Sequence, residues 1–99
     1  MEAITEIPEV YLLKLYITGA SPNSAKAVNN IKKICEEFLL NRYELEVIDI
    51  YQQPLLASSE QIIALPLLIK SFPLPAKRLI GNMSDKDKVL QGLNLTETI

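Results

Sequence analysis

The sequence predicts an α/β fold, a mixed four-stranded sheet with its elements in the order β-α-β-α-β-β-α. Three observations lead there. An eight-residue segment, Val10 to Ile17, is apolar on both alternating faces; a strand-helix-strand unit follows; two short apolar stretches then flank a proline-rich link. With 99 residues, 48% of them hydrophobic, the chain has room for one domain and enough apolar surface to fold it.

Residues 1–9 are acidic, lack periodicity and contain Pro8, so they read as a loose tail, and 96–99 read as a short second one. The domain spans 10–95. In the first strand, 10–17, Leu13, Leu15 and Ile17 share one face and Leu12, Lys14 and Tyr16 the other, which suits a central strand covered on both sides. Gly19-Ala20-Ser21-Pro22 stops it. Ser21 can cap a helix whose first position, Pro22, loses nothing by lacking an N–H. That helix runs over 22–39 with Val28, Ile31, Cys35 and Phe38 on its inner face.

A second strand, 44–51, is rich in Val, Ile and Tyr, and with its predecessors makes a βαβ unit with parallel strands. Pro54 ends it, and 55–64 reads as a short helix. Strands at 67–70 and 77–80 are joined by the hairpin-like link Ser71-Phe72-Pro73-Leu74-Pro75-Ala76. Ser84-Asp85-Lys86-Asp87 has the form of a capping box opening a last helix from 85 to about 91–93, with Val89, Leu90 and Leu93 inward and Gly92 as its stop. This order of elements is the thioredoxin-like arrangement.

Composition excludes most catalysis. There is no His and one Cys, so a Ser-His-Asp triad, a Cys-His pair, a C-x-x-C and a Cys₄ zinc site are all out of reach. Three scattered glycines form no phosphate-binding loop. The expectation is a non-enzyme without a cofactor. A net charge of −2 argues against nucleic acid. The longest apolar run, Ile62 to Ile69, is too short to span a bilayer. The N-terminus lacks the form of a signal peptide, so the expected compartment is the cytoplasm, with Cys35 reduced. Charge is uneven: Lys70, Lys77, Arg78, Lys86 and Lys88 fall within 70–88 against only Asp85 and Asp87, either a solvated surface or a docking patch for an acidic protein.

In a thioredoxin-like fold the catalytic thiols sit after the first strand. Here that stretch is Ser21-Pro22-Asn23-Ser24, similar to the glutaredoxin C-P-x-C with both sulfurs replaced by hydroxyls. Without a base to activate a serine, the redox reading is rejected. Cys35 reads as a packed small hydrophobe. Leu65-Pro66 occupies the place of the fold's cis-proline and is expected to be cis. Pro66, Pro73 and Pro75 lie within ten residues, and isomerisation at such bonds is slow enough to separate two conformations of the C-terminal half. Asp49, inside an apolar run, needs a partner when buried; Lys14 and Lys70 are the candidates, with a functional site as the alternative.

The run Leu13-Lys14-Leu15-Tyr16-Ile17-Thr18-Gly19-Ala20-Ser21-Pro22-Asn23-Ser24 resembles the opening of the KaiB family, cyanobacterial circadian-clock proteins. So do Val47-Ile48-Asp49-Ile50 with Pro54, then Ala64-Leu65-Pro66, Phe72-Pro73-Leu74-Pro75, Arg78-Leu79-Ile80-Gly81-Asn82-Met83-Ser84-Asp85 and Lys88-Val89-Leu90-Gln91-Gly92-Leu93. The resemblance covers roughly residues 10–95. It implies a non-catalytic timing protein that exchanges between a tetrameric ground state, ordered β-α-β-β-α-α-β, and a thioredoxin-like monomer. The monomer would dock on the KaiC ATPase ring, recruit KaiA and displace the sensor domain of the kinase SasA. On this reading Lys26, Lys70, Lys77 and Arg78 are contact residues. The strand carrying Glu44 and Glu46 offers an edge to a partner, and Pro66, Pro73, Pro75, Gly92 and Asn94 lie in the switching half.

Four departures mark a divergent paralogue. Glu44 and Glu46 replace a small residue and a Lys, Asn94 replaces an Asp, Leu65 replaces a Thr, and Leu95-Thr96-Glu97-Thr98-Ile99 stands where the family has an acidic tail. Glu44 and Glu46 lie on the strand edge that meets KaiA in the family, so the charge change bears on that partner. Two rival functions are compatible with this resemblance: a clock-independent stress-response regulator of a KaiC-type ATPase, and a degenerate thiol oxidoreductase. The local signals at Ser84, 67–70 and 77–80 agree with the thioredoxin-like form over the tetrameric one.

Overall fold

A strand apolar on both faces belongs in the middle of a sheet, and β1 (Tyr11–Ile17) lies there. The computed structural model describes residues 9–59 and 64–95. Beyond β1 its elements are α1 (Pro22–Phe38), β2 (Tyr43–Asp49), α2 (Pro54–Ser59), β3 (Leu67–Phe72), β4 (Lys77–Ile80) and α3 (Lys86–Gly92). The strand order is β2-β1-β3-β4, with β1·β2 parallel and the other two pairs antiparallel. This is the α/β order that the sequence predicts. The tails expected at 1–9 and 96–99 lie, Glu9 apart, outside the described residues.

Alternation along the strands gives the sheet two faces. Tyr11, Leu13, Leu15 and Leu68 join Ala27, Ile31, Ile34 and Cys35 of α1 and Val89 and Leu90 of α3 in the larger core. Tyr16, Ile48, Leu67 and Ile69 form a smaller one on the other face. Burying a leucine such as Leu15 contributes about 1.5–3 kcal/mol. Helix α1 is capped as expected: Ser21 accepts from the Ser24 N–H at 3.2 Å, with Pro22 in the first turn. Its inner face is centred differently. Ile31 and Cys35 are buried, but Ala27 and Ile34 join them while Val28 and Phe38 sit at the rim.

Four boundaries need correction. Strand β2 ends at Asp49 rather than residue 51, because the Gln52 and Gln53 amides turn back onto the Asp49 carbonyl. Helix α2 is described over Pro54–Ser59; of its expected end, 60–63 lie outside the described residues and Ala64 lies in a bend rather than in a helix. The cap of α3 is Asp85, whose carboxylate accepts from the Lys88 N–H at 3.2 Å, while the Ser84 amide is tied to Asn82 Oδ1 at 3.0 Å. A carboxylate at this position also meets the positive end of the helix.

Gly92 is not the stop of α3 either. It is the last helical residue, buried, and a Cβ there would lie 2.5, 2.7 and 3.0 Å from Leu79 Cδ2, Cδ1 and Cγ. Glycine is needed for close packing of α3 on β4, and the left-handed turn falls to Asn94 at φ 61°. The Leu65–Pro66 bond is cis, as expected, and so are Phe72–Pro73 and Leu74–Pro75.

Candidate protein-docking surface

Hydroxyls at the head of α1 are spent on structure. Ser24 is 1% exposed; its Oγ accepts from Ser21 Oγ at 2.8 Å and from the Thr18 N–H at 3.1 Å. Gly19, at φ +56°, completes this loop, and its N–H donates to Asp49 Oδ1 at 3.0 Å. The same oxygen accepts from the Tyr51 N–H at 2.9 Å. The expected pairing of Asp49 with Lys14 or Lys70 is therefore corrected. Asp49 stands opposite Ile17 at the far end of β2, while Lys14 faces Glu46, and two amides satisfy the carboxylate.

Cys35 is fully buried, and burial, then the Glu36 charge, pushes its thiol up to about 12. At neutral pH it stays protonated and is a poor nucleophile. Among the described residues no group of His, Cys, Asp and Glu is arranged to hold a metal ion. No described helix is long and apolar enough to cross a membrane.

Four of the six charged candidates, Glu44, Glu46, Lys77 and Arg78, fall on the two edges of the sheet. Register places Glu46, Lys14, Ile69 and Arg78 in one row across all four strands. At the acidic edge, Glu44 and Glu46 are exposed and line, with Leu12, Lys14 and Ser71, an open groove of about 440 Å³. At the basic edge, Lys77 and Arg78 are exposed, Ile80 is 65% exposed, and Lys88 of α3 stands behind them. These residues and Gln91 line a second groove of about 450 Å³. A short edge strand with cationic side chains beside an apolar one is suited to an acidic protein surface.

Lys26 is exposed on α1. Lys70 is a correction to the contact set. It is 1% exposed, held under the sheet's helical face opposite Leu13 and Lys77, and cannot meet a partner from there. The run Leu67-Leu68-Ile69 leading into it was the available signal, since a strand apolar on both faces buries whatever polar residue it contains. Pro66 is buried at the start of β3, and Pro73 and Pro75 stand in the β3–β4 link. Gly92 and Asn94 close α3.

Comparison with known proteins fits these features. The KaiB domain family matches residues 14–95. The circadian clock oscillator protein KaiB of Prochlorococcus marinus subsp. pastoris is 47% identical over 87 residues, covering 88% of this chain and 81% of the relative. Among solved structures, the N-terminal domain of Synechococcus elongatus SasA superposes with a TM-score of 0.71 at 24% identity, covering 100% of this chain and 97% of that one. The Drosophila thioredoxin Deadhead gives 0.70 at 9% identity, covering 87% and 80%. These likenesses establish a thioredoxin-like fold, and at such identities they speak for the fold alone.

Proposed function

This chain belongs to the KaiB family, and on that footing we propose that it is a non-catalytic clock regulator that docks on a KaiC-type ATPase ring in the cytoplasm and modulates its phosphorylation and output. The observation that carries this reading is the exposed basic edge, Lys77 and Arg78 on β4 with Lys88 behind them. Lys26 supplies a further cation on α1. The binding-competent form is the thioredoxin-like monomer, and a homotetramer is the alternative ground state. Exchange between them would rearrange the half that holds Pro66, Pro73, Pro75, Gly92 and Asn94. A SasA-like kinase pathway is the output affected, through competition for one docking place on the ring. KaiA would meet the β2 edge.

The acidic pair Glu44 and Glu46 on that edge favours a second reading, a regulator of a KaiC-type ATPase outside a clock and without KaiA. A KaiC-type gene beside this one without a KaiA-type gene would favour it. Size-exclusion chromatography of the protein mixed with a KaiC-type hexamer tests the proposal itself. Co-elution with the ring under ATP-hydrolysing conditions is expected. Separate elution at tens of micromolar would contradict it.

A further inference from the structure

Lys70 is the one charged side chain among the described residues that the fold buries. It is 1% exposed, and its Nζ has no hydrogen-bond partner among those residues. An ammonium in that position costs free energy unless something compensates it. Among the described residues, what surrounds it compensates little. From β4, Lys77 stands directly across the antiparallel pair, a like charge. From β1, the Tyr11 ring centroid lies 5.9 Å from Nζ, a cation–π contact. Glu9, just before β1, adds a weak opposing charge. The core side chains of the helices on this face and of their C-caps, Ile34 and Leu39 with Val89, Leu90 and Leu93, are uncharged, and the Cys35 thiol stays neutral. Burial, and then Lys77, hold the Lys70 ammonium below the ordinary lysine range.

The strand beside it, β4, is also the shortest in the sheet. Strand β4 has four residues, lies at the edge, and pairs only with β3. Its inward Leu79 rests on Gly92 of α3, so β4 and α3 make one packed unit. Such a unit can open without unfolding the rest. Lifting β4 would hydrate the ammonium and separate it from Lys77.

We propose that Lys70 is a charge-operated latch beside the β4–α3 unit: its ammonium favours the open unit, and loss of the proton favours the closed one. The sign follows from linkage. The closed state holds the proton less tightly than the open one, so opening takes up a proton, and its equilibrium constant falls as pH rises toward the ordinary lysine value of about 10.4. This holds whatever partner the protein serves.

Hydrogen exchange on the full chain tests it, with amides of β4 and α3 read against those of β1, β2 and α1. Lys70→Met is expected to slow exchange in β4 and α3 about tenfold at pH 7, with little change elsewhere. Lys70→Arg, which cannot lose its charge, is expected to speed it. The difference between wild type and Lys70→Met should shrink between pH 7 and pH 9.5. Exchange in β4 and α3 that is unchanged or faster in Lys70→Met would overturn the latch, as would a slowing spread evenly over the molecule. Should Lys70→Met fail to fold, Lys77→Gln decides: slower exchange confined to β4 and α3 supports the latch, and no change refutes it.

Discussion

Reversing both charges of the outer strand, as Lys77→Glu with Arg78→Glu, is expected to weaken binding to a KaiC-type ring by about a hundredfold. Both side chains are exposed on an edge strand and line the same groove as Lys88. A rim charge acts chiefly on the encounter rate and on rejection of wrong partners. Two reversals turn attraction into repulsion on an acidic surface. The loss should shrink as salt is raised, because exposed charges are screened over about 8 Å at physiological ionic strength. Neither side chain belongs to a core cluster, so the folded state should survive. Biolayer interferometry on the immobilised ring reads the affinity, and circular dichroism checks the fold. Undiminished binding by a folded double variant would remove the basic edge from the interface.

The second large effect is steric. Gly92→Val is expected to destabilise the protein by about 3 kcal/mol. The whole isobutyl end of Leu79 stands where the new Cβ must go, at 2.5–3.0 Å, and valine adds two methyl groups beyond it. Moving Leu79 outward opens the seam between β4 and α3. Valine is a weaker helix former than alanine, so over glycine propensity gives back only about 0.3 kcal/mol. Gly92→Ala should cost less, since about 1 kcal/mol of helix propensity offsets part of the clash. For a domain of this size the valine variant should melt roughly 12 °C or more below wild type. Melting within 2–3 °C of wild type would show that Leu79 has room to move.

The fold was legible because its signals are local. Alternation set β1, Ser21-Pro22 set the head of α1, and Leu65-Pro66 set the approach to β3. What escaped the sequence depends on contacts between distant residues. Gly92 has the look of a helix stop, and only the position of Leu79 reveals it as a packing residue. Asp49 in an apolar strand calls for a cation, but the amides of Gly19 and Tyr51 reach it first. Lys70 counts as one more positive charge in a basic stretch until the pairing of β3 with β1 and β4 buries it. Charge composition locates a patch along the chain; strand register decides which members face solvent.

Docking through the thioredoxin-like form is the central claim, and an NMR titration of the ¹⁵N-labelled protein with a KaiC-type hexamer tests it most directly. A monomer in which 77–80 are extended and 86–92 helical is expected. On addition of the ring, the Lys77 and Arg78 amides should be the first to broaden. A tetramer with 86–92 in a strand that stays so in the presence of the ring, or a spectrum that the ring leaves unchanged, would contradict it.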